Sequence, residues 1–217
     1  VMSRLLSILV LTAALAPASA GADRGAVLRS AALPGWGQHY LGHGTRGNIF
    51  LGVEAVAWAG LGVSLLEGAL ATDDYEALAL REAGIDASGL DGSMLDNIAD
   101  FGSTLEYDDY IRRLARYYHP DDPEAQQRYF DANSWHGPDD WSWSSDDARG
   151  RFDDYLRESR EWHRVALYAG AFAVVNRIVS AIDAALIGDS EPVLYSSLDR
   201  PDPSDFSSVR LTVGARF

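Results

Sequence analysis

The sequence predicts a mainly α-helical membrane protein: a hairpin of two apolar helices, an acidic helical segment between them and a single short C-terminal strand. Three observations carry that expectation. Residues 49–66 and 165–187 are apolar runs long enough to approach or exceed the roughly 30 Å of a bilayer core. The net charge of −14 falls entirely between them, because residues 69–163 hold 23 of the 32 acids and only 9 of the 18 basic residues. A Pro- and Gly-rich aromatic turn stands directly before the first run.

The expected organisation is a signal peptide at 1–20, the turn with the first apolar helix at 21–68, and the acidic segment at 69–163. The second apolar helix at 164–188 and a tail at 189–217 follow. Arg4, the apolar residues 5–15 and the small residues Ala18-Ser19-Ala20 have the order of an export signal. The chain contains no cysteine, which excludes disulfides, thiolate catalysis and a lipid-bearing cysteine. All 18 basic residues are arginine, and they form no stripe. With an acidic block repelling phosphate, nucleic acid is excluded as a partner.

Residues 26–33 form a short apolar segment of about two helical turns. Pro34 biases Leu33 away from helix, and Gly35 and Gly37 permit a bend. Trp36, His39 and Tyr40 are amphipathic types that favour a membrane–water boundary. Together with Gly42, Gly44 and Gly47, they predict a re-entrant or interfacial elbow feeding the first apolar helix. That helix, 49–66, is apolar except for Glu54. Gly60, Ser64 and Gly68 recur every four residues, offering a face where another helix can approach closely.

From Thr72 the chain turns polar. Residues 73–82 predict a helical stretch ended by Gly84. Ser93 with Asp96 has the spacing of a capping box, and Met94, Ile98, Phe101 and Leu105 make one apolar stripe continuing through Tyr107, Ile111, Leu114 and Tyr118. His119-Pro120 closes it, and 123–130 adds a short helix. Residues 133–145 hold three tryptophans among Gly, Pro, Ser and Asp, a loop with aromatic anchors. A helix starting at Ser145-Asp146-Asp147 runs into the second apolar run, which Gly188 ends. Val209, Leu211, Val213, Ala215 and Phe217 alternate with polar residues, predicting one strand. A transmembrane barrel needs at least eight such segments and is excluded.

The second run carries Asn176, Arg177, Ser180 and Asp183, with Asn176, Ser180 and Asp183 sharing a face. Charge inside a membrane costs roughly 2.5–3.5 kcal/mol per residue on insertion scales and is usually paired. Glu54 is therefore the expected partner of Arg177, and Glu54, Asn176, Arg177, Ser180 and Asp183 form an expected intramembrane polar network.

Two motifs carry a family resemblance. Pro34, Gly35, Gly37, Gln38, Tyr40 and Gly42 fit P-G-x-G-Q-x-Y-x-G, and Asn176 with Asp183-Ala184 fits N-x-x-x-x-x-x-D-A. In both, the chain resembles the bacterial domain of unknown function 5683 family of envelope proteins. About half the chain is covered, and the acidic middle is longer than the family pattern. The resemblance implies a membrane location and no established activity.

Chemistry-bearing alternatives are weak. His39 and His43 have the spacing of two metal ligands on one helical turn, but glycines surround them and no third ligand is adjacent. The segment from Asp131 begins like a calcium loop, then fails with His136 at position six and Ser142 at position twelve. No serine-hydrolase, zinc-protease or nucleotide-binding motif is present. The sequence thus predicts no catalytic residues, no metal and no cofactor. It predicts an exported cell-envelope protein, inner membrane before outer, with a structural or scaffolding role; its partners are the bilayer and an envelope protein. The competing expectation is a membrane-embedded enzyme or proton-coupled transporter using Glu54, Arg177 and Asp183, with His39 a further acid–base candidate. A third is a water-soluble periplasmic domain whose core is the two apolar runs.

Overall fold

The computed structural model describes residues 23–188 with their side chains, and 189–190, 193–199 and 210–216 by backbone alone. The expected signal peptide lies outside the described residues. Among the described residues seven helices follow in order: α1 Arg24–Ala32, α2 Trp36–Tyr40, α3 Gly44–Glu82, α4 Gly92–Asp100, α5 Thr104–Tyr118, α6 Pro123–Asn133 and α7 Asp146–Ser190. The expectation of one C-terminal strand is not supported. Residues 23–188 contain no strand, and the later backbone pairs two segments, β1 Val193–Asp199 and β2 Arg210–Arg216, antiparallel.

Among the described residues, two helices are long and apolar enough to cross a membrane, α3 with 39 residues and α7 with 45. Both are longer than the sequence reading allowed. The boundary drawn at 68/69 falls inside α3, because the Ala- and Leu-rich residues 69–82 keep good helix formers under their acids. The boundary at 163/164 falls inside α7, and Gly188 lies within that helix rather than ending it. At the other end α3 begins at Gly44, five residues earlier than expected.

The chain divides into two compact units: residues 60–168, and the remainder on either side. Within the first-named unit, α4, α5, α6 and the loop 134–145 fold with the adjoining stretches of α3 and α7 around a core of their own. Tyr75, Leu78, Ile85, Leu95, Ile98, Trp141, Phe152 and Leu156 are buried there. The three loop tryptophans anchor it: Trp141 donates its indole N–H to Phe101 (3.1 Å) and Trp143 to Ile98 (2.7 Å). Trp135 meets Trp141 edge-on with ring centroids 4.6 Å apart. The loop also closes the end of α3, because the N–H groups of Ser142 and Ser144 bond the carbonyls of Ala83 and Glu82.

The predicted single helix from 93 to 118 is two. Asp91, not Ser93, caps α4, accepting from the N–H of Ser93 and of Met94, both at 2.9 Å. The chain then breaks at Phe101-Gly102-Ser103. Ser103 caps α5 through Glu106 N–H, and the Glu106 carboxylate reaches back to Gly102 N–H at 2.7 Å, a capping box in all but register. With the helix broken there, Leu105 points to solvent while Ile98 remains in the core.

The small-residue face is used only in part. A Cβ on Gly68 would lie 3.1 Å from the His163 ring, so α7 approaches closely there, whereas one on Gly60 would meet nothing within 4 Å. Ser64 spends its hydroxyl on the Gly60 carbonyl at 2.7 Å.

Candidate functional site

The second unit, residues 23–59 and 169–188, has its polar chemistry in two buried clusters on α3 and α7. In this unit the two helices run antiparallel, since Glu54 meets Asn176 and Arg177 while Arg46 meets Asp183.

Glu54 is the centre of the first cluster and is buried. Its Oε1 accepts from Trp58 Nε1 (2.9 Å), Arg177 Nε (3.1 Å) and Arg177 Nη2 (2.8 Å), and its Oε2 accepts from Asn176 Nδ2 (3.0 Å). Asn176 Nδ2 also lies 3.2 Å from the Phe50 carbonyl. Four donors thus converge on one carboxylate, which satisfies it without water. The spacing that places Trp58 one turn beyond Glu54 was visible in the sequence, but Trp58 reads there as another apolar residue.

The second cluster is built around Gln38, which is fully buried. Gln38 Nε2 donates to the Ser180 carbonyl (2.8 Å) and to Asp183 Oδ2 (3.1 Å), while its Oε1 accepts from Ser30 Oγ (2.9 Å) and Ser180 Oγ (3.2 Å). Gly35 N–H donates to Ser180 Oγ at 2.8 Å, Gly37 N–H to Ser30 Oγ at 3.0 Å, and Arg46 Nη1 to Asp183 Oδ1 at 3.1 Å. Ser180 and Asp183 therefore belong with Gln38, not with Glu54, and the single network expected from the sequence is two. Ser30 had no sequence signal for membership. Gln38 carried one: an amide inside an apolar elbow needs four partners.

The same geometry explains the turn motif. Pro34 is buried. Gly35 has φ +90°, and a Cβ there would sit 2.2 Å from the Gly47 carbonyl oxygen. A Cβ on Gly37 would sit 2.1 Å from the Ala26 carbonyl oxygen, so α1 and α2 touch backbone to side of glycine. Tyr40 is half exposed, with the Arg29 guanidinium 4.0 Å over its ring. Gly42 has φ +83° and leads out of α2. The elbow expected to be irregular thus contains a short helix, and Gly37 and Gly44 are helical after all.

His39 does not join Glu54 and Asp183; its Nε2 lies 3.1 Å from Asn48 Oδ1 and its ring packs on Gly47. Among the described residues, no group of three or more His, Asp or Glu side chains is placed to hold a metal ion. No protein-family model, curated protein or solved structure matches the chain.

Proposed function

We propose that this protein is a non-catalytic, structural or scaffolding component of the bacterial cell envelope. In this proposal it is exported and held in the inner membrane by residues 49–66 and 165–187, and its acidic folded unit presents a surface to a protein partner. Kinship with the domain of unknown function 5683 family belongs to the same proposal. Its support is that Pro34, Gly35, Gly37 and Gln38 each have a packing or hydrogen-bonding reason.

The observation that carries the proposal is the state of the polar groups on the apolar helices. Glu54, Asn176, Gln38, Ser180 and Asp183 are all spent on one another and on neighbouring protein groups. A general acid or a proton carrier needs a side aimed at substrate or water. Lipid as the surrounding solvent is supported by what those helices turn outward: Val56, Val63, Leu66, Leu167, Phe172, Val175 and Ile182 are all about half exposed or more.

The test is Glu54→Gln. The expected outcome is a loss of about 1.5–3 kcal/mol, the range for hydrogen bonds to a charged group, with a fall in protein level in the membrane. Thermal unfolding in detergent and quantitative blotting of the membrane fraction measure both. Unchanged stability and level together with a lost proton-coupled flux would overturn the structural role and favour the transporter reading.

A further inference from the structure

We propose that the α1–α2 elbow is a wedge inserted into one leaflet of the bilayer, with Leu33 and Trp36 at its tip among the acyl chains. The proposal rests on the membrane reading above and adds a lipid contact that neither long helix makes.

The depth follows from where the elbow is pinned. Asp23, at the start of α1, lies beside Gly188, just past the end of the second apolar run, where a Cβ on the glycine would be 3.1 Å from the Asp23 nitrogen. The bend at Gly35 is bonded instead to Ser180, eight residues back along α7. At about 1.5 Å per residue, the chain descends about 12 Å between those points. α2 then turns back: Gln38 bonds both Ser180 and Asp183, and the chain enters α3, where Arg46 meets the same Asp183. A descent of about 12 Å passes the boundary between headgroups and acyl chains, just beyond the depth of about 5–10 Å at which amphipathic helices settle.

The side chains are sorted to match. Those turned toward α7 are polar or small and fully used: Ser30, Gly37 and Gln38. Those turned outward at the tip are large and apolar: Leu33 is 43% exposed and Trp36 50%. Farther from it, Arg24 and Leu28 turn outward from α1, Arg29 stacks on Tyr40, and His39 bonds Asn48. A Trp at the acyl boundary with Tyr and Arg toward the headgroups is the vertical order that the interface selects. Exposed Leu and Trp at the tip of a water-exposed loop would have no such sorting.

Because the chain has no cysteine, single thiols report single depths. Leu33→Cys, Trp36→Cys, Arg24→Cys, Thr45→Cys and Val175→Cys are each labelled with a nitroxide. The full chain is reconstituted in phosphatidylcholine–phosphatidylglycerol vesicles. Collision with oxygen, which concentrates in lipid, is compared with collision with a water-soluble nickel chelate. The expected result is an oxygen-to-chelate ratio several-fold higher at 33, 36 and 175 than at 24 and 45. A low ratio at 33 and 36 with a high ratio at 175 would overturn the wedge and leave the membrane reading standing. A low ratio at 175 would overturn both. Far-UV circular dichroism of each labelled variant checks that the helices are retained.

Discussion

Gln38 shows how much a single amide can hold. Two donors and two accepting positions on one side chain reach Ser30, Ser180 and Asp183, joining α1, α2 and α7 at one point. Gln38→Leu keeps the volume and strands those partners, so the melting temperature in detergent should fall by the equivalent of about 1–3 kcal/mol. Two glycines make a sharper contrast at the same scale. Gly37→Ala drives a methyl against the Ala26 carbonyl and Ser30 Oγ and should destabilise the fold, whereas Gly60→Ala enters open space and should leave stability unchanged or slightly raised. Parallel thermal melts of the two variants check this. Asp91 adds a dependence on pH. The Ser93 hydroxyl, and then the Met94 N–H, hold its carboxyl below the usual carboxylate range. A group whose folded pKa is lowered contributes stability above its unfolded pKa and loses it as pH falls through the folded one. The stability difference between the protein and Asp91→Ala should therefore be constant near neutrality and shrink below about pH 4, the ordinary carboxylate pKa, as read from denaturant melts across pH.

At the level of elements, the long apolar helices were legible because their hydrophobicity is continuous over more residues than any competing signal. The pairing of Glu54 with Arg177 was legible for a related reason: two opposite charges in two such runs have few other places to go. What could not be read were helix ends and breaks. Residues 69–82 change from apolar to acidic without a glycine or proline, so composition suggests a boundary where backbone propensity sees none. Between α4 and α5 the reverse holds, because a continuous apolar stripe hides a break that Gly102 and the Ser103–Glu106 pair signal locally. The stripe therefore predicts an apolar contact for Leu105, which the break turns to solvent. The division of the polar residues into two clusters depends on which way α1 folds back, and no pattern within α7 encodes that. Phe152 tests the element packing directly: it is fully buried, between Tyr75 and Trp143. Phe152→Ala should cost about 3–5 kcal/mol in chemical denaturation, with loss of the tryptophan signal from residues 135–143.

On the scale of the whole chain, the acidic middle is a folded unit with an aromatic core rather than a polar connector. Net negative charge of this size favours solubility of the surface that carries it. The convergence of four donors on Glu54 has a consequence for how the protein is made. Residues 49–66 emerge from the ribosome well before Arg177 and Asn176 exist, so in the membrane reading proposed above the first helix would meet the bilayer with Trp58 as the one donor of the four to its carboxylate. On insertion scales that exposure costs roughly 2.5–3.5 kcal/mol, and the later helix alone would bear a bare guanidinium at similar cost. Each is the counter-ion the other lacks, so stable insertion should wait for both and occur as a pair. A nascent chain stopped at residue 160 should then be washed from membranes by carbonate or degraded, while one stopped at residue 190 should stay.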